Sequence, residues 1–109
     1  MSAQSERELL QTARDQMETG QEAFLSQDYP SAARAFLAAY AARPFSAFLY
    51  NAGIAYEEAG QARPALEQYV EYLDADPDAS DRADVEARIR RLRLALGETG
   101  QTGADTGGR

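Results

Sequence analysis

Apolar residues along the chain recur at steps of three and four, in five successive runs, and residues that start or stop helices bound each run. The first stripe is Leu9, Leu10, Ala13, Met17, Gly20, Ala23 and Phe24. It follows Ser5-Glu6-Arg7-Glu8, which has the spacing of a capping box, and the helix is expected to continue to about Ser26. Gln27-Asp28-Tyr29-Pro30 interrupts it, with Asp28 able to cap and Pro30 suited to a first helical turn. A second helix then extends from about Pro30 to Ala42, where Arg43-Pro44 stops it. Ser46 is expected to cap a third helix, about 47–59, carrying Phe48, Leu49, Ala52, Gly53 and Tyr56 before Gly60. The fourth, about 62–75, carries Ala65, Leu66, Tyr69, Val70 and Leu73 and closes at Asp76-Pro77. Ser80 is expected to cap a fifth, with Asp81 and Asp84 in its first turn and Arg88, Arg90, Arg91 and Arg93 toward its end. That order favours the helix dipole at both ends. Val85, Ile89, Leu92 and Leu96 form a single seam on it before Gly97. Nothing alternates with the period of two that a strand requires, so the expected class is all-α.

The second and fourth helices superpose at an offset of 33 residues: Gly20 repeats as Gly53, Ala32 as Ala65, Phe36 as Tyr69 and Pro44 as Pro77. A helix pair recurring at this period is the mark of an α-hairpin solenoid. Small residues would let two helix backbones approach, an aromatic would fill the space beside them, and proline would close each unit. At these residues the chain resembles the tetratricopeptide repeat family. The first unit presents Gly20, Ala23, Ala32, Phe36, Ala39 and Pro44, and the second presents Gly53, Tyr56, Ala65, Tyr69, Tyr72 and Pro77. The likeness covers about residues 13–79 and departs at Ala23, where Tyr is usual, and at Tyr72, where Ala is usual. Tyr72 is expected either to push the fifth helix outward or to fill space left by a small neighbour.

The resemblance implies a right-handed tetratricopeptide-like solenoid of two helix pairs, about 13–45 and 46–79, with a fifth capping helix at about 80–96, all in one domain over 1–96. Phe48-Leu49-Tyr50-Asn51-Ala52-Gly53 also looks like bacterial members whose last repeat is followed by a lone amphipathic helix. Glu86 and Arg90 stand where a further complete repeat would be apolar or aromatic, which favours the capping role. Residues 97–109 hold five Gly and no large apolar side chain, and are expected to form a disordered tail.

Composition removes most chemistry from consideration. The 109 residues suit one domain and include no Cys, His, Trp or Lys. No thiolate nucleophile, disulfide, His-bearing triad, Cys/His zinc site, Schiff base or P-loop lysine can be built. A net charge of −7 opposes binding to nucleic acid or to an anionic membrane surface. The start is acidic and polar, and the longest unbroken hydrophobic run, Ala35 to Ala42, is far short of a membrane span. Cytoplasmic residence is the resulting expectation.

Carboxylates are the remaining candidates for acid–base or metal chemistry. Asp74, Asp76, Asp78, Asp81 and Asp84 are dense, but Pro77 interrupts the spacing and no glycine follows where a calcium loop turns, so they read as helix-start and linker residues. Glu57-Glu58 reads as a solvated face with no partner to tune either acid. No catalytic residue, cofactor or metal ligand is therefore expected.

The resemblance instead implies binding of a protein or peptide. First helices of successive units would line a concave groove through Arg14, Met17, Gln21 and Phe24 in the first unit and Ala47, Tyr50, Ile54 and Glu57 in the second. Asn51 matches one member of the clamp by which a subset of the family grips a chaperone's C-terminal carboxylate. Met17, Gln21, Asp81 and Val85 stand where the clamp's other Lys, Asn and Arg belong, and without cations the clamp fails. Two alternatives stay open: Tyr50 and Ile54 pack under the fifth helix, or the chain is a structural subunit that self-associates or sits in a larger assembly, since two repeats leave thinly shielded ends.

Overall fold

The computed structural model describes residues 5–98. Five helices follow one another: α1 (Glu6–Leu25), α2 (Tyr29–Ala42), α3 (Ser46–Glu58), α4 (Ala62–Ala75) and α5 (Arg82–Ala95). Among the described residues there is no strand, and no helix is long and apolar enough to cross a membrane.

Local chemistry accounts for the helix ends. The Ser5 hydroxyl accepts the Glu8 amide at 3.1 Å while the Glu8 carboxylate accepts the Ser5 amide at 3.0 Å, a reciprocal cap. Asp28 accepts the Ser31 amide at 3.3 Å, with Pro30 in the first turn of α2. After α1, Gln27 adopts φ 65° and the Asp28 amide reaches back to the Ala23 carbonyl at 2.8 Å. After α3, the same turn is made by Gly60 at φ 78°, with the Gln61 amide on the Tyr56 carbonyl at 2.9 Å. Glycine carries the left-handed turn without steric cost, whereas Gln27 carries it against the clash of its own Cβ.

Two expected caps are corrected. Ser46 lies inside α3, whose N-cap residue is Phe45, because the Phe45 carbonyl already accepts the Phe48 amide at 3.0 Å. Ser80 lies outside α5, whose N-cap residue is Asp81. The Asp81 carboxylate caps nothing because it accepts the Tyr72 hydroxyl at 2.8 Å instead.

Every extensive interface joins consecutive helices, α1 to α2, α2 to α3, α3 to α4 and α4 to α5. Ala13, Ala39 and Phe48 tie α1 to α2 and α3, and Ala32, Ala33, Phe36, Ala52 and Ala55 continue the α2–α3 joint. The largest cluster, around Leu49, Leu66, Tyr69, Tyr72, Val85, Ile89 and Leu92, joins α3, α4 and α5. Leu96 packs against it, so the whole α5 seam faces α3 and α4. Tyr72 is buried there and fills space.

The glycines of the repeat act differently from the expected approach of two backbones. A Cβ on Gly20 would stand 2.8 Å from the Phe36 ring, and one on Gly53 would stand 2.6 Å from the Tyr69 ring. Each glycine clears the first helix of its hairpin so that an aromatic face from the second can lie directly on it. Of the expected tail, Gly97 ends α5 at φ 79° and the Glu98 carboxylate pairs with Arg63 on α4. Residues 99–109 lie outside the described residues.

Candidate functional site

α1 and α3 both rest on α2, and the gap between them is a cavity of about 550 Å³. Gln21, Phe24 and Leu25 form the α1 wall, spaced so that three side chains share one helix face. Tyr50, Asn51 and Ile54 form the α3 wall, and the buried Phe36 ring of α2 lies between the walls. Phe24 meets Tyr29 edge to face at 5.0 Å, and Tyr50 sits 6.0 Å from Tyr69 and 5.5 Å from Tyr72. Aromatic contacts thus hold a residue on each wall. Leu25 has no comparable contact and is 84% exposed, the most exposed large apolar residue among those described.

Of the residues expected in a groove, Gln21, Phe24, Tyr50, Asn51 and Ile54 are brought together here. Arg14 and Ala47 are exposed but lie apart from the cavity, and Met17 packs against the Ala13–Ala39–Phe48 cluster. Tyr50 and Ile54 each face two ways, packing against the α3–α4–α5 core and lining the cavity. Leu25 and Phe36 were missing from the expected set. Leu25 was findable, since it stands one helical turn beyond Gln21.

Glu57 requires a correction on two counts: it is absent from the cavity wall, and it has partners. Its carboxylate accepts the Tyr69 hydroxyl at 2.7 Å, Arg88 at 2.9 Å and Arg91 at 3.3 Å. It is a joint between α3, α4 and α5, with only 22% of the side chain exposed. Burial, and then the neighbouring Glu57 carboxylate, push the Tyr69 hydroxyl far above the ordinary tyrosine range. Burial and the Asp81 carboxylate push Tyr72 up to about 12. Burial works against the charge on Arg88, but Tyr69 and Glu57 outweigh it and hold the guanidinium above its ordinary value. Both phenols donate their hydroxyl hydrogen bonds to a carboxylate, Tyr69 to Glu57 and Tyr72 to Asp81.

A second recess of about 500 Å³ on the flank of α4 and α5 is lined by Arg63, Glu67, Gln68, Glu71, Arg93 and Glu98 beside Leu66 and Val70. Among the described residues no group of three acidic side chains converges closely enough to hold a metal ion. The α1–α3 cavity offers the side-chain amides of Gln21 and Asn51 beside the apolar surface of Phe24, Leu25, Phe36 and Ile54. Comparison with protein-family models, curated proteins and solved structures found no match.

Proposed function

We propose that this chain is a tetratricopeptide-like, non-catalytic adaptor of the cytoplasm that takes a peptide or partner helix in the cleft between α1 and α3. The observation that carries the reading is the composition of the cleft: Gln21 and Asn51 bring one amide from each wall beside the apolar surface of Phe24, Leu25 and Ile54. Two amides can satisfy a peptide's backbone N–H and C=O groups, while an apolar side chain enters between the walls. The 33-residue repeat supports the likeness, because both units seat an aromatic ring on a glycine at the same register. A small occupant of this kind needs no reacting group from the protein.

Leu25→Asp and Asn51→Arg test the reading, since neither residue belongs to the buried core. Tyr50 is a poorer choice because its ring also contacts Tyr69 and Tyr72. Both variants should keep the wild-type melting curve and lose the proteins that the wild type recovers from a native lysate. Folded variants that recover the same proteins would remove the cleft from consideration.

A further inference from the structure

α1 and α5 end the row of helices, so each has an outer face turned away from its packed neighbour. On α1 the outer face, opposite buried Ala13 and Gly20, presents Glu18 and Glu22, and Leu25 stands at its border with the α1–α3 cleft, which it also lines; all three are exposed. On α5 the outer face, opposite buried Val85, Ile89 and Leu92, presents Ala83, Arg90, Arg91 and Leu94, also exposed. Leu25 at 84% and Leu94 at 69% are the two most exposed large apolar side chains among the described residues. Each end helix therefore shows one uncovered leucine close to its C-terminus, flanked by charge.

The charges are opposite. Five acids against two arginines leave α1 with an excess of three negative charges. Five arginines against two acids leave α5 with an excess of three positive charges, inside a chain whose net charge is −7. Among the described residues Arg90, Glu18 and Glu22 have no ion-pair partner, and Arg91, though paired with Glu57 at 3.3 Å, keeps 60% of its side chain exposed. Two acidic proteins repel one another at most orientations, and the orientation that brings α5 of one copy to α1 of another reverses the sign.

We propose that this chain associates with itself head to tail, the outer face of α5 around Leu94, Arg90 and Arg91 seating on the outer face of α1 around Leu25, Glu22 and Glu18 of a second copy. The contact is heterologous, so every copy keeps one face free for the next and short linear arrays form instead of a closed pair. A helix the length of α5 offers a strip roughly 20 Å long and about 10 Å wide, which places the contact in the small, transient class. Screening by salt weakens it. Occupation of the α1–α3 cleft is not required.

Sedimentation of the full chain tests this. The wild-type weight-average mass should climb from 11.9 kDa toward multiples of that value as the concentration reaches the millimolar range, and fall back when salt is added. Leu25→Asp and Leu94→Asp, each shown to be folded by circular dichroism, should each remain monomeric, since each has lost one of the two faces. Their equimolar mixture should form a 1:1 dimer of twice 11.9 kDa and grow no further, because each variant supplies the face that the other lacks. Asn51→Arg, which alters only the cleft, should associate as the wild type does. A wild type that stays monomeric at millimolar concentration overturns the proposal. So does association that survives Leu94→Asp, a mixture that forms no dimer, or loss of association in Asn51→Arg.

Discussion

The two hairpins repeat the same contact and reach opposite outcomes. In the first, Phe36 lies on Gly20 and its ring also borders an open cleft; in the second, Tyr69 lies on Gly53 and is sealed beneath α5. One register position separates them. Phe24 stands 33 residues before Glu57, and where Phe24 offers an apolar wall, Glu57 gathers the Tyr69 hydroxyl, Arg88 and Arg91 into a closed joint. The Phe36 ring has no hydroxyl to offer such an acid. A single hairpin geometry thus yields a recess or a seal according to whether this pair is Phe with Phe or Glu with Tyr. The recess stays open in the first unit, where Phe24 gathers no partner of the kind that Glu57 gathers in the second.

The most severe way to break the comparison is to open the sealed unit. Truncation after Asp78 removes Val85, Ile89 and Leu92, all buried, and exposes the faces of α3 and α4 that they cover. Burial of each such side chain is worth roughly 1.5–3 kcal/mol, so the loss approaches the whole stability of a small domain. The truncated chain should aggregate or melt without a cooperative transition, as seen by circular dichroism and light scattering. A cooperatively folded monomer would show that α5 is not a cap.

Next come the glycines. Gly53→Leu overpacks against a ring that cannot retreat, and should cost on the order of 1–3 kcal/mol or more in chemical denaturation. Gly20→Leu should cost less, since the Phe36 ring can yield toward the cleft. Equal losses would mean that the open and sealed rings are held equally firmly.

The joint itself is a smaller target. Glu57→Ala leaves the buried Tyr69 hydroxyl and the partly buried Arg88 without their acceptor, a loss of about 1–3 kcal/mol. Phe24→Ala, at the matched position, removes a partly buried ring that leaves no charged or hydroxyl group without its partner, and should shift the denaturation midpoint by less. The smallest expected effect is a gain. Gln27→Gly relieves a left-handed backbone that Gly60 adopts freely in the second unit, and should stabilise by up to about 1 kcal/mol. A destabilised Gln27→Gly would show that the lost side chain, not the turn, matters there.

Local pattern carried the helices because caps, prolines and apolar stripes act over a few residues. The five runs, the reciprocal cap at Ser5 and the seam Val85-Ile89-Leu92 all emerged from spacing alone. Most of the cleft was legible for the same reason, since Gln21 with Phe24 and Tyr50 with Ile54 must share helix faces. What escaped depends on how the helices sit against one another. Glu57 meets Arg88 across 31 residues of chain, and no local rule signals that pairing. Asp81 looked like an ordinary member of a first helical turn until Tyr72, nine residues back, took its carboxylate. Ser46 and Ser80 carried the chemistry of caps, yet the backbone bonds of Phe45 and Asp81 set the starts of α3 and α5. Gln27 was readable in principle, because Gly60 stands 33 residues on, but glutamine rarely signals a left-handed turn.

The proposed role of the first unit's recess is to take a partner chain, while the second unit has closed its own. It is tested most directly by photo-crosslinking, with benzoylphenylalanine placed at Phe24 in one preparation and at exposed Glu58, beside the sealed joint, in another. Irradiation in native lysate should give a discrete crosslinked partner from position 24, distinct in mass from a second copy of the chain, and none from position 58. Equal capture from both positions, or capture from position 58 alone, would contradict the account.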